Sequence, residues 1–278
     1  MLKKKKISVR FLIPIFVISK NCEKYVITEK SFKYLKYLQN VLKDIATINF
    51  LILGSEKELS RDLTLKYFNE DEYMEYDQGG IHYFNRVSFE TLNTIVGTKI
   101  MNGYNKCKEF EPDLIIFMKN NHFISKKWFE DIINHYESNI ESPNFYGISC
   151  RGNISIITCI DDNNHINIKK GLICHNTLTP GEMGDACIIG IPREIYLKYN
   201  MDPTNLTELS IQQSLINLGY NFYKSNGHWQ FNIKSVKNDI ENVSGFLHWI
   251  QPEKDTLENW NIIKIDSIVD FVNLFNNL

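Results

Sequence analysis

The chain has 278 residues, a formal net charge of −2, and 43% hydrophobic against 23% charged residues. These values exclude an intrinsically disordered chain and a collagen-like repeat. The near-neutral charge argues against a protein whose whole surface attracts nucleic acid. No internal repeat or low-complexity linker divides the sequence, so we expect one continuous domain over residues 1–278.

The first apolar run, residues 11–18, follows a lysine-rich start. It contains Pro14, lacks a small-residue cleavage site and is too short for a bilayer span, which takes about 20 residues. We therefore expect a buried β-strand and not a signal peptide. Residues 27–42 have helical apolar spacing, and residues 49–53 form a second apolar run. Strand, helix and strand in this order predict a βαβ unit with parallel strands.

The same alternation continues to residue 145. We predict a short helix over residues 61–68, an acidic loop over 69–80 ending in Gly79-Gly80, and helices over 89–107 and 128–136 on either side of a strand at 114–118. This pattern predicts an α/β fold with a mostly parallel sheet flanked by helices. Residues 7–145 are then the first half of the domain.

From residue 146 the sequence changes to short β-rich pieces. We predict strands at 147–150, 154–160, 186–190 and 231–235, and helices from residue 193, over 207–218 and over 266–275. A smaller mixed half is expected over residues 146–250, and residues 251–278 are expected to carry the C-terminal helix.

The six cysteines are scattered, without a Cys-x-x-Cys pair or a histidine at zinc-finger spacing. Six cysteines could pair, but no secretory signal accompanies them, so we expect reduced thiols in a cytoplasmic protein. We expect no membrane span and no nucleic-acid partner. The sequence predicts no oligomeric state.

Ligands of open parallel sheets bind at the carboxyl ends of the strands. This rule selects the loops after the three predicted strands of the first half. They contain Ser19, Gly54-Ser55-Glu56 and Lys119-Asn120-Asn121.

Several short motifs follow one another in a characteristic order. They are the strand at 10–19, Gly97-Thr98-Lys99 with Asn102-Gly103, the run 112–117 with its polar triplet, the turn 181–184 leading into 188–194, and Leu206-Thr207-Glu208 with Gly219-Tyr220. This order, over roughly residues 7–240, resembles that of family-2-like nucleotide-sugar glycosyltransferases of the GT-A fold. The bias towards Asn, Ile and Lys fits an AT-rich genome such as that of a large DNA virus.

The resemblance implies transfer of a sugar from a nucleoside diphosphate sugar to a glycan or other hydroxyl acceptor, with inversion. It implies Glu208 as the general base, with Glu182 as a second acidic residue that contacts the acceptor. A glutamate in a first helical turn also stabilises the helix dipole, and the sequence leaves both roles of Glu208 open. The implied donor-binding residues are Ser19, Gly54, Ser55, Glu56, Lys99, Asn102, Lys119, Asn120 and Asn121, and the acceptor-binding residues are Gly181, Glu182, Gly184 and Asp185.

The triplet Lys119-Asn120-Asn121 departs from the family's D-x-D motif, which holds a divalent cation. Hard cations are bound mainly by carboxylates, and Lys119 would repel them. We therefore expect no metal ligands and no cofactor beyond the donor, with Lys99 and Lys119 balancing the charge of the diphosphate. A catalytically inactive binding module of the same fold is an alternative. A nucleotidyltransferase is a third, although residues 19–23 lack its glycines.

Overall fold

The computed structural model describes residues 6–15, 20, 23–54, 57–75, 89–118, 120, 122–124, 126–141, 143–148, 154–160, 166–174, 188–201, 208–225, 228–233, 260–261 and 277. Among these residues, no helix combines the length and apolarity needed to cross a membrane.

The first three elements confirm the predicted βαβ unit. They are β1 (Ile7–Pro14), α1 (Glu23–Val41) and β2 (Ala46–Gly54), and β1 pairs in parallel with β2 from Ile7↔Ala46 to Pro14↔Leu53. β-branched and aromatic residues dominate both strands, as expected for strands covered on both faces. The α1 face formed by Phe32, Leu35 and Leu38 is buried, as is Leu42 directly after the helix.

The rest of the first half contains α2 (Lys57–Leu65), a 3-10 turn (Glu70–Glu72), β3 (Tyr73–Glu75), α3 (Phe89–Glu109), β4 (Leu114–Met118), β5 (His122–Ile124) and α4 (Lys126–Ser138). The strand β4 pairs in parallel with β1, and β3 pairs in parallel with β2. Since α3 leads into β4, it runs antiparallel to the strands, with its N-terminus towards their carboxyl ends.

The second half contributes to the same sheet. Its elements are β6 (Asn144–Ile148), β7 (Ile154–Ile160), β8 (Ile166–Cys174), β9 (Ile188–Pro192), α5 (Arg193–Tyr196), α6 (Glu208–Asn217), β10 (Asn221–Ser225), β11 (His228–Ile233) and β12 (Trp260–Asn261). The main sheet has seven strands in the order β10-β6-β9-β4-β1-β2-β3. Only β9 runs against its neighbours among these strands, because it pairs antiparallel with both β4 and β6. A second sheet has the order β12-β8-β7-β11-β5.

Hydrophobic side chains cover both faces of the seven-stranded sheet. On one face Phe11 and Phe50 pack with Phe32 of α1 and Trp128 of α4. On the other face Leu12 and Leu53 belong to a cluster with residues of α3, α5 and α6. The alternation of Phe11 and Leu12 follows from the two-residue repeat of a β-strand. The sheet is therefore a mixed α/β layer with helices on both sides, as predicted.

The prediction of a loop over residues 69–80 was wrong for residues 70–75, which form the 3-10 turn and the edge strand β3. Glu72 explains the difference, because it is only 5% exposed. Its Oε1 accepts a hydrogen bond from the Phe50 N–H (3.3 Å), and its Oε2 accepts one from the Asn69 N–H (3.0 Å). This carboxylate satisfies backbone donors and joins the turn to β2. The predicted helix at 266–275 lies outside the described residues.

Candidate active site

The carboxyl edge of the seven-stranded sheet has a switch point at β1. Both β2 and β4 pair with β1, so the chain passes from β1 to one side of the sheet and later returns to the other. In sheets of this kind the crevice beyond such a point is the usual ligand site. The helices α1 and α3 cover opposite faces of the three strands, so α1, α3 and the strand ends surround this position.

Lys99 lies on the buried face of α3, near this edge. Four residues later, Gly103 contacts the sheet so closely that an added Cβ would come within 2.7 Å of Leu12 Cδ1 and Leu53 Cδ1. Leu12 and Leu53 are close to the carboxyl ends of β1 and β2. One helical turn, about 6 Å, carries Lys99 further towards that edge on the same face of the helix. We therefore locate its backbone at the level of the strand ends.

The Lys99 side chain is 5% exposed. Burial lowers its pKa from 10.5 to about 7, because an ammonium group is less well solvated inside the protein than in water. Desolvation is the cause of this shift, and within the described ranges no carboxylate raises the pKa of Lys99. A buried amine without an acidic partner can accept a proton when an anion binds beside it. Lys99 therefore has the properties of an anion ligand.

Asn120 is positioned by α1. Its Nδ2 donates a hydrogen bond to Thr28 Oγ1 at 2.7 Å, and Thr28 is fully buried. Nearby, the Tyr34 hydroxyl donates to the Ile124 carbonyl at 2.9 Å. These two bonds hold the segment after β4 against α1. The Asn120 side chain keeps its Oδ1 as an acceptor, the type of atom that binds a hydroxyl group.

Thr28 and Tyr34 were not predicted as part of this region. The signal was in the sequence, because Thr28 falls one residue after Ile27 on the apolar face of the predicted helix. A polar side chain on a buried helical face needs a hydrogen-bond partner, and Asn120 is one partner of Thr28.

Gly54 ends β2 for a packing reason. An added Cβ would come within 2.7 Å of Tyr73 Cζ, so the tyrosine ring lies directly over the glycine. The Tyr73 hydroxyl is buried, and no described residue forms a hydrogen bond with it. Burial, with the negative charge of Glu75 as a smaller cause, raises its pKa to about 12. A side chain at position 54 would therefore displace the Tyr73 ring, and contact between Gly54 and a donor stays a prediction.

Glu208 is the first residue of α6. This helix leads into β10, which is parallel to β6 and therefore to β1, so the N-terminus of α6 is at the carboxyl edge. Ile211 and Leu215 of α6 belong to the same buried cluster as Ile100 and Tyr104 of α3. The backbones of Glu208 and Lys99 thus share one edge and one face of the sheet. Asn102, half-buried, follows Lys99 by three residues on α3.

The other predicted site residues lie outside the described residues. They are Ser19, Ser55, Glu56, Lys119, Asn121, Gly181, Glu182, Gly184 and Asp185. Within the described ranges, no group of three or more His, Cys, Asp or Glu side chains is arranged to hold a metal ion.

No protein-family model matches the chain, and no curated protein matches it in sequence. Solved structures that are similar in backbone include the following three. A CMP:2-keto-3-deoxy-manno-octonic acid synthetase complexed with CTP has a TM-score of 0.42 at 8% identity, covering 87% of this chain and 96% of the other. A nucleotide-diphospho-sugar transferase from Desulfovibrio desulfuricans has a TM-score of 0.38 at 7% identity, covering 80% of each chain.

The third is a glycosyltransferase involved in glycosylation of the major capsid of PBCV-1, with a TM-score of 0.35 at 8% identity, covering 78% of this chain and 81% of the other. Because these TM-scores are 0.42 or lower, we base the proposals below on the residues of this chain alone.

Proposed function

We propose that this protein is a glycosyltransferase that transfers a sugar from a nucleoside diphosphate sugar to a hydroxyl group of a glycan or other acceptor, with inversion and without a divalent metal. The observation that carries the proposal is Lys99, a buried amine with no acidic partner among the described residues, at the carboxyl edge of a parallel sheet. A diphosphate is a chemically suitable partner for such a group.

The proposed reaction is a displacement at the anomeric carbon of the donor. The acceptor oxygen attacks the anomeric carbon of the donor, and the bond from this carbon to the diphosphate oxygen breaks. The electron pair of the broken bond stays on the nucleoside diphosphate, which leaves, and Glu208 accepts the proton of the attacking hydroxyl. Protonated Lys99 balances the charge that develops on the leaving diphosphate, and Lys119 is proposed to assist it. The Asn120 amide, oriented by Thr28, is proposed to contact the donor sugar.

The first experiment is a thermal-shift and turnover assay with a panel of nucleotide sugars, in the presence and absence of EDTA. The wild-type chain is compared with Lys99→Met and Lys106→Met. Lys106 is the matched control because it is on the same helix but 45% exposed, in an ion pair with Glu109. We expect stabilisation and turnover by one donor class, loss of both in Lys99→Met, and neither loss in Lys106→Met.

The alternatives give different results. Stabilisation without transfer or hydrolysis of any donor would identify a binding module. Release of pyrophosphate from a nucleoside triphosphate, without use of a nucleotide sugar, would identify a nucleotidyltransferase. If no nucleotide stabilises the protein, or if Lys99→Met binds as well as wild type, the proposed donor site is wrong.

A further inference from the structure

Gln212 of α6 has a buried side-chain amide that no described residue satisfies. The residue is 0% exposed. Both Nε2 and Oε1 are buried, and within the described ranges neither atom has a hydrogen-bond partner. Such an amide destabilises the free protein, because it has lost its hydrogen bonds to water. Native proteins contain few groups of this kind, so each one requires an explanation.

Gln212 shares a helix face with Glu208, the proposed general base. In a helix with 3.6 residues per turn, positions 208, 211, 212 and 215 lie on one face. Ile211 is 1% exposed and Leu215 is fully buried, and both belong to a cluster with residues of α3. This face of α6 is therefore directed towards α3 and the sheet.

The Gln212 side chain is directed towards the carboxyl edge of the sheet. Side chains of a helix lean towards its N-terminus, so residue 212 covers the turn before it. That turn begins at Glu208, the first residue of α6, about 6 Å away along the helix axis. The N-terminus of α6 is at the carboxyl edge, because α6 leads into the parallel strand β10. This geometry puts the amide next to the proposed base.

The chemistry of the amide indicates which group could satisfy it. Nε2 is a donor and Oε1 is an acceptor. A phosphate offers only acceptors and would leave Oε1 unpaired. Two neighbouring hydroxyl groups can satisfy both atoms, since each hydroxyl can donate or accept a hydrogen bond. Neighbouring hydroxyl groups are a general feature of sugars, whereas a simple alcohol has only one.

We propose that Gln212 determines acceptor specificity by binding two neighbouring hydroxyl groups of a sugar. Oε1 accepts a hydrogen bond from one hydroxyl, and Nε2 donates one to the oxygen of the other. These hydroxyls lie beside the hydroxyl whose proton Glu208 accepts. The proposal rests on the proposed function and specifies its acceptor as a sugar. An analogue that lacks one of the two hydroxyls leaves a buried polar atom unpaired and should be rejected strongly.

The first test measures the free protein and needs no substrate. Gln212→Met and Gln212→Leu remove the unpaired amide, so the melting temperature should rise in at least one of them. Gln213→Met is the matched control, because Gln213 is exposed on the same helix and donates to Asn217 Oδ1 at 2.8 Å. It should not raise the melting temperature. A lower melting temperature for both Gln212 variants would show that the amide is already satisfied, and would overturn the proposal.

The second test measures acceptor selectivity with the donor that the wild-type chain uses. The acceptors are methyl glucoside, methyl galactoside and methyl mannoside, with their monodeoxy analogues. Loss of a hydroxyl that Gln212 binds should lower kcat/KM of the wild-type chain by about 100-fold or more. In Gln212→Met this ratio should fall to about tenfold or less, and in Gln213→Met it should stay as in wild type. A merely structural role would lower activity with both acceptors equally and leave the ratio unchanged.

The outcomes separate this proposal from the proposed function. If the wild-type chain transfers the sugar and Gln212→Met keeps full discrimination, the role of Gln212 is wrong while glycosyl transfer stands. A raised KM for the donor with an unchanged acceptor ratio would assign the amide to the donor sugar and would also overturn the proposal. So would hydrolysis of the donor with no transfer to any glycoside. Absence of turnover with every nucleotide sugar would overturn the proposed function, and this proposal with it.

Discussion

Replacing Lys99 with methionine is expected to stabilise the free protein and to abolish nucleotide binding. The folded-state pKa of about 7 is below the ordinary value of 10.5, so the unfolded chain binds more protons than the folded one between these two pH values. Stability must therefore rise with pH across this window, by about 1.4 kcal/mol per unit. Over the whole window the wild-type chain gains about 5 kcal/mol.

Methionine removes this dependence, because it has similar length and no titrating group. At pH 8 the remaining cost of the buried amine is about 3 kcal/mol, so Lys99→Met should be more stable by roughly that amount. The difference should be larger at pH 7 and should decline towards pH 10. Urea unfolding followed by circular dichroism at several pH values measures it. The control Lys106→Met should have the same pH profile as wild type, since Lys106 is exposed.

When the ligand is bound, we expect Lys99 to stabilise the complex, whereas in the free protein it lowers the stability. A bound diphosphate favours the protonated amine and raises the pKa of Lys99, so binding at pH 8 should take up about one proton per nucleotide. Calorimetry in two buffers of different ionisation enthalpy counts this proton. Parallel pH profiles for wild type and Lys99→Met, together with binding that takes up no proton, would refute the assignment of Lys99 as a buried diphosphate ligand.

Three further predictions follow from the described contacts. Gly103→Ala should lower stability by about 1–3 kcal/mol, because the new Cβ would meet Leu12 and Leu53 at 2.7 Å; thermal unfolding measures this, and an unchanged melting temperature would contradict the close packing of α3. Thr28→Val should cost about 1–3 kcal/mol, since the valine methyl cannot accept the hydrogen bond from Asn120 Nδ2, and it should also weaken donor binding; the serine variant, which keeps the hydroxyl, should retain both properties. Finally, EDTA should leave nucleotide-sugar turnover unchanged, whereas its loss and recovery with added Mg²⁺ or Mn²⁺ would show that a metal is required.

The sequence predicted the fold correctly where apolar residues are buried in regular strands and helices. The β-branched runs of β1, β2 and β4 and the helical spacing of α1 and α3 each gave the observed element, because burial on two faces requires continuous apolar residues. The edge strand β3 was not predicted because the acidic residues before it, among them Glu72, are typical of an exposed loop. In the structure Glu72 is buried, and its carboxylate accepts hydrogen bonds from the backbone of Phe50 and Asn69. A local pattern does not contain that long-range partner.

The roles of the candidate site residues stay predictions, and the topology gives only the backbone positions of some of them. Strand order alone was enough to select the carboxyl edge, and the topology puts Lys99, Asn120 and Glu208 there. The burial of Lys99 depends on Gly103 bringing α3 close to β1 and β2, a distance that no spacing rule supplies. The hydrogen bond from Asn120 to Thr28 joins residues 92 positions apart, so only the folded chain reveals it.

The reversed strand β9 has a consequence for how the protein is made. On one side it pairs with β4 and on the other with β6, so β4 and β6 do not pair with each other. A ribosome completes residues 144–148 some 40 residues before it completes β9. During that interval β6 has no neighbour in the sheet, while β1, β2 and β4 can already pair. The joining of β6 to the early strands must wait for one five-residue segment, so residues 188–192 connect the early and late parts of the nascent polypeptide, and β10 is added to β6 afterwards.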